Sequence, residues 1–135
     1  MLYPNISIII PCLNEEKFIA TCLDSVIEND YHHEKMEIII IDGLSTDKTR
    51  KIVLDYQKRY SFITLLDNPK KITPAAMNIG IKKSSYDYII RLDAHSKYPK
   101  DYFTLCIDYL LNTNADNVGG VVDFIPSDDS IISKC

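Results

Sequence analysis

This chain lacks a membrane span, a thiol framework and a basic surface, and each absence removes a class of function. No apolar run approaches the roughly 18–20 residues that cross a bilayer. The N-terminus has no basic leader before an apolar core, because the strand-like run Ile6 to Ile10 begins almost at once. The expectation is a soluble, cytoplasmic chain, with attachment of a longer parent to the cytoplasmic face of a membrane left open. The four cysteines, Cys12, Cys22, Cys106 and Cys135, form no C-x-x-C pair, and none lies near a histidine at zinc-ligand spacing. They read as apolar thiols of a reducing compartment. The formal net charge is -4, so no nucleic-acid partner is expected. A phosphate ligand would then need a metal ion or a helix N-terminus to supply positive charge.

Glycine-rich phosphate loops are missing too. Without G-x-G-x-x-G after the first strand, a nicotinamide-binding domain is disfavoured, and without G-x-x-x-x-G-K-[ST] a P-loop NTPase is excluded. No glycine-rich triphosphate loop follows the first strand, which weighs against a sugar nucleotidyltransferase. There is no internal repeat, low-complexity tract or Gly/Ser linker, so residues 1–135 are read as a single domain. At 46% hydrophobic and 25% charged, the composition fits an ordinary globular core.

What is present is a regular alternation. Ile6 to Ile10 and Met36 to Ile41 are β-branched runs without polar alternation, as in parallel strands buried on both faces. Between them, Glu15 to Glu28 places Phe18, Ile19, Cys22, Leu23, Val26 and Ile27 on one helical stripe. Ser45 or Thr46 is expected to cap a second helix running to about Tyr60, with Asp47 in its first turn. Phe62 to Leu66 is a third strand. Thr73 as N-cap and Pro74 at N1 open a third helix to about Ser84. Tyr88 to Leu92 is a fourth strand, Lys100 to Asn112 a fourth helix, and Val118 to Phe124 a fifth strand. Strands alternating with helices predict an α/β fold with a mostly parallel sheet, helices on both faces and strand order 3-2-1-4 plus a further strand.

In such sheets ligands bind beyond the carboxyl ends of the strands, where the strand order reverses. Pro11, Leu13, Asn14 and Glu15 follow the first strand, Asp42, Gly43 and Ser45 the second, and Asp93 and His95 the fourth. Each cluster alone is also what an ordinary cap or turn would use. Their convergence on one sheet edge favours a site over three independent turns. Asp93 and His95, two residues apart, suit a shared divalent ion, Mg²⁺ or Mn²⁺, bridged to a pyrophosphate.

Ser7-Ile-Ile-Ile-Pro-Cys-Leu-Asn-Glu-Glu16 resembles the opening motif of glycosyltransferase family 2, Ile41-Asp-Gly-Leu-Ser-Thr-Asp-Lys-Thr49 its second motif, and Arg91-Leu-Asp-Ala-His95 its D-x-D region. Asn68-Pro-Lys-Lys-Ile-Thr-Pro-Ala-Ala-Met-Asn-Ile-Gly80, with Gly119-Gly120, is similar to the branch containing succinoglycan-biosynthesis glycosyltransferases. The resemblance implies a Rossmann-like GT-A domain that binds a nucleoside-diphosphate sugar, usually a UDP-sugar, with a divalent metal, for inverting transfer to a glycan, polysaccharide or lipid-linked acceptor. Carried over by position, Pro11, Leu13 and Glu15 would line the nucleoside pocket while Asn14 shapes the turn. Asp42 would lie near the base or ribose, and Ala76, Asn78 and Gly80 where the third helix nears the nucleotide. Arg91 would stand beside the diphosphate, Asp93 near ribose and metal, and His95 at the metal. Two departures stand out: Gly43 replaces a second aspartate that commonly reads the base, and His95 replaces the last aspartate of D-x-D.

The general base that inversion requires lies on a later segment in this family. Only Asp123, Asp128 and Asp129 follow the start of the fifth strand and none matches that motif, so the chain reads as a C-terminally truncated donor-binding half. Two alternatives stay open: a non-catalytic nucleotide-sugar-binding fragment, and an unrelated α/β scaffold that uses these residues as caps. A sheet edge exposed by truncation would favour a homo-oligomer.

Overall fold

The structure is a computed structural model, and it describes residues 2–120. Four strands and four helices alternate: β1 (Ile6–Cys12), α1 (Ile19–Ile27), β2 (Met36–Asp42), α2 (Thr49–Arg59), β3 (Ile63–Asp67), α3 (Thr73–Lys83), β4 (Tyr88–Arg91) and α4 (Tyr102–Asn112). All strand pairs are parallel and the order is β3-β2-β1-β4, as the alternation predicts. The part of the expected fifth strand within the described residues, Val118 to Gly120, is not strand, and Val121 to Phe124 lie outside them.

The isoleucine runs explain the register. Side chains alternate across a strand, so Ile6, Ile8, Ile10, Ile38 and Ile40 join one core with Leu23 and Val26 of α1, Val53 of α2 and Phe103 of α4. Ile9, Ile39 and Ile41 face the other way, against Ala76 of α3. Both faces of β1 and β2 are thus covered, which is why these strands show no polar alternation. The exception is Ser7, wholly buried, whose hydroxyl donates to Glu37 at 2.6 Å.

Helix starts differ from expectation in consistent ways. Glu15 lies in a turn, not a helix: its carbonyl accepts from both Phe18 and Ile19, and regular helix begins only at Ile19. Neither Ser45 nor Thr46 caps α2. Asp47, two residues before the helix, accepts the amide and hydroxyl hydrogens of Thr49 at 2.9 and 2.6 Å. Thr73 is the first residue of α3 rather than its cap. Ile72 occupies the cap position without a side-chain bond, and Pro74 stays in the first turn. In each case the side chain expected to cap is either already inside the helix or engaged in the loops beyond the sheet.

Gly80 lets α3 lie close on the sheet. A Cβ there would fall 2.7 Å from Ile9 Cγ2 and 2.8 Å from Ile41 Cδ1. Replacement Gly80→Val is expected to lower stability by about 1–3 kcal/mol through overpacking, read from urea unfolding. Gly80→Ala should cost less, because alanine recovers about 1 kcal/mol of helix propensity.

Candidate functional site

The carboxyl edge of the sheet is where four loops meet. Cys12 pairs with Asp42 and Asp42 with Asp67, so β1, β2 and β3 end in one row, while β4 ends at Arg91, level with Ile9. Between the loops after β1 and β4 lies a cleft of roughly 230 Å³. Pro11, Leu13, Glu15, Ala76, Arg91, Asp93 and His95 all line it. The volume is below the roughly 300–1,000 Å³ typical of a small-molecule pocket.

Five of the expected residues do not line this cleft. Asn14 sits at φ 52° and ties two loops together: its amide donates to Ser45 Oγ at 2.8 Å and its Oδ1 accepts from Thr46 N at 2.9 Å. Asp42 is wholly buried and partnered on both oxygens, by the Ser45 amide and hydroxyl, by Arg50 at 2.8 Å and by the Cys12 thiol at 3.6 Å. Gly43 donates to the Cys12 carbonyl, and a Cβ there would meet Leu13 Cδ1 at 3.3 Å. Asn78 borders a separate hollow beside Pro69 and Lys82, and Gly80 faces the sheet. In this conformation Asp42 and Asn14 act on the cleft through the loops they hold.

Sequence reasoning passed over several participants. Asn68, Lys71, Ile72 and Thr73 line the cleft opposite β4. Asn68 is almost fully buried; its Nδ2 donates to the Ile72 carbonyl at 2.9 Å, and its Oδ1 has no partner among the described residues. Asp67 follows the same rule that singled out Asp42, since it ends a strand, and it could have been found that way. Arg50 bridges Asp42 and Asp67 at 2.8 Å each. No sequence spacing signals that bridge.

Charge at this edge is ordered by hydrogen bonds. Burial alone would raise the Asp42 carboxyl, but bonds from Ser45 and Arg50 outweigh it and hold it below the usual carboxylate value. Hydrogen bonds to Asp42 and Asp67 raise the Arg50 guanidinium. Burial pushes the Cys12 thiol upward and the Cys22 thiol to about 12, so neither is a thiolate nucleophile near neutral pH. Across the cleft mouth, His95 Nδ1 lies 3.2 Å from Glu15 Oε1, and Arg91 Nη2 is 3.6 Å from Asp93 Oδ1.

A divalent cation suits this donor set in part. Asp93 offers a half-exposed carboxylate, and His95 Nε2 makes no hydrogen bond among the described residues. Among the described residues, no group of three or more His, Cys, Asp or Glu side chains could hold a metal alone. Remaining ligands would have to come from a diphosphate and water.

Because Asp42 has a depressed folded-state pKa, it contributes stability above its unfolded value near 3.8, and that contribution is lost as pH falls through the folded pKa. Unfolding free energy should therefore drop below about pH 4. Arg50→Ala should cost about 2 kcal/mol at pH 7, the scale of a charged hydrogen bond lost by a buried carboxylate. Denaturant titrations at pH 7 and pH 3 check both; a smaller Arg50→Ala penalty at pH 3 is expected.

Comparison with known proteins places this geometry. Residues 7–134 match the profile described as glycosyl transferase family 2. A dolichyl N-acetyl-alpha-D-glucosaminyl phosphate 3-beta-D-2,3-diacetamido-2,3-dideoxy-beta-D-glucuronosyltransferase of Methanococcus voltae is 44% identical over 100 residues, 73% of this chain and 31% of the relative. The succinoglycan biosynthesis protein ExoA of Rhizobium meliloti (strain 1021) is 37% identical over 113 residues, 82% of this chain and 34% of the relative. The chain thus spans about a third of the length of these curated relatives. Among solved structures, the mannosyltransferase PcManGT from Pyrobaculum calidifontis, in complex with GDP-Man and Mn²⁺, superposes with a TM-score of 0.77 at 24% identity, over 82% of this chain and 33% of that one. S. aureus TarS 1-349 in complex with UDP-GlcNAc gives 0.71 at 19% identity, over 89% and 38%. The fold is the GT-A fold, and the chain belongs to glycosyl transferase family 2.

Proposed function

We propose that this chain is the donor-binding part of an inverting, metal-dependent glycosyltransferase that takes a sugar from a nucleoside diphosphate, most simply UDP, to a glycan or lipid-linked acceptor. The observation that carries the reading is the meeting of Glu15, Arg91, Asp93 and His95 in one cleft between β1 and β4. That cleft lies at the point where strand order reverses, where open α/β sheets bind their ligands. Arg91 would offset diphosphate charge, and Asp93 with His95 would hold Mn²⁺ or Mg²⁺ against it. The ion, when bound, would neutralise the leaving diphosphate. The nucleoside would lie along Pro11 and Leu13, opposite Ala76 and the loop from Asn68 to Thr73.

Several relations support this. The Methanococcus voltae relative carries a dolichyl-phosphate-linked sugar in its name, and structural neighbours hold UDP-GlcNAc or GDP-Man with Mn²⁺. Both carboxylates at the cleft mouth are engaged, Glu15 by His95 and Asp93 by Arg91. That suits donor binding better than deprotonation of an acceptor hydroxyl, and the base would come from elsewhere in the parent enzyme. A fragment that binds donor without transferring it is the second reading, favoured by the small volume the described residues enclose.

Calorimetric titration with UDP, with and without Mn²⁺, tests the reading. Metal-dependent binding is expected, falling at least about tenfold in Asp93→Ala, equal to about 1.4 kcal/mol. Silence toward UDP, GDP and CDP alike would overturn it. Transfer to a supplied acceptor separates the enzyme from the binding fragment.

A further inference from the structure

We propose that Glu15 is a positioning residue for His95: by accepting a hydrogen bond from Nδ1, it leaves Nε2 as the ring's bare nitrogen for a divalent cation shared with Asp93. This rests on the metal-binding reading above and gives Glu15 a different task from the nucleoside contact expected by resemblance.

The contact joins residues 80 apart in sequence, at 3.2 Å across the mouth of the cleft. The two side chains differ in freedom: His95 is 61% exposed and Glu15 21%. An exposed imidazole interchanges tautomers and samples several ring orientations, and only one ring nitrogen at a time can serve a metal. A carboxylate oxygen accepts, so in the neutral imidazole that binds metal the proton sits on Nδ1 and the Nε2 lone pair is free. Carboxylate–histidine–metal relays elsewhere work this way, fixing tautomer and orientation while raising ligand basicity.

Glu15 is itself held in place, as such a role requires. Its amide donates to Thr49 Oγ1 at 2.8 Å, and its carbonyl accepts from Phe18 and Ile19 at 3.0 and 2.9 Å. Thr49 is wholly buried, and its hydroxyl donates to Asp47 at 2.6 Å. The left-handed turn at Asn14, φ 52°, delivers Glu15 to this position. A relay therefore runs from the start of α2 through the β1 loop to the residue beyond β4. The described residues offer no group of three protein ligands, so a cation held by two depends strongly on how well the two are oriented. An isolated surface ion pair between histidine and glutamate would be worth little and would leave metal affinity unchanged.

The experiment is Mn²⁺ titration of the purified chain followed by electron paramagnetic resonance at saturating UDP. Glu15→Ala is expected to weaken Mn²⁺ binding about 10–100-fold. Glu15→Gln, whose amide oxygen still accepts from Nδ1, should retain most of the affinity. Far-UV circular dichroism should show both variants folded. In a His95→Asp background, where no imidazole needs orienting, Glu15→Ala should no longer weaken Mn²⁺ binding. Unchanged Mn²⁺ affinity in Glu15→Ala would overturn the proposal, as would equal losses in the Ala and Gln variants. If Asp93→Ala and His95→Ala abolish Mn²⁺ binding while Glu15→Ala does not, the relay fails alone. If neither ligand variant affects it, the metal reading fails and takes the relay with it.

Discussion

The buried carboxylate of Asp42 gathers the carboxyl edge of the sheet. It accepts hydrogen bonds from Ser45, Arg50 and Cys12, which belong to its own loop, to α2 and to β1. Each partner reaches further. Arg50 goes on to Asp67 at the end of β3, and Ser45 receives the amide of Asn14. A wholly buried carboxylate is tolerated only when its lone pairs are filled, so the loops after β1 and β2 have little freedom to part without exposing a desolvated charge. The cleft walls inherit that constraint.

The same edge carries the backbone strain. Among the described residues the non-glycine left-handed conformations are Asn14, Leu44 and Lys71, one in the loop after each of β1, β2 and β3. Asparagine takes this conformation readily, but leucine and lysine do so at a cost of about 1–2 kcal/mol. Such strain persists where surrounding contacts over-determine the backbone, and it tends to cluster at functional sites. Here those contacts are identifiable: Gly43 is bonded to Cys12, and Lys71 to the Asn68 carbonyl. The bend at Asn14 presents Glu15 to His95, and the bend at Lys71 closes the opposite wall.

Much of the fold was legible beforehand because the strands are apolar on both faces. Unbroken isoleucine runs have few other places to go than a covered parallel sheet. Asp93 and His95 were legible for a related reason, since polar groups immediately after such runs must sit at the sheet edge. Asp42 was found by the same rule, but its facing was not. A carboxylate at a strand end has the same sequence signature whether it turns to a ligand or to Arg50. Gly80 was expected near the nucleotide, yet the space a Cβ would need there is filled by Ile9 and Ile41. Contact of that kind depends on how far α3 sits from the sheet.

The sequence by itself determined the alternation of elements, the parallel sheet, the strand order and the edge at which polar residues collect, because hydrophobic periodicity and strand-end chemistry are local properties. Tertiary structure alone decided which of those residues face one another. The Glu15–His95 contact, the Arg50 bridge and the Asp47–Thr49 bonds just ahead of α2 all depend on loop paths. Those paths are set by a buried charge and left-handed turns, whose energies resolve only when distant segments are packed together.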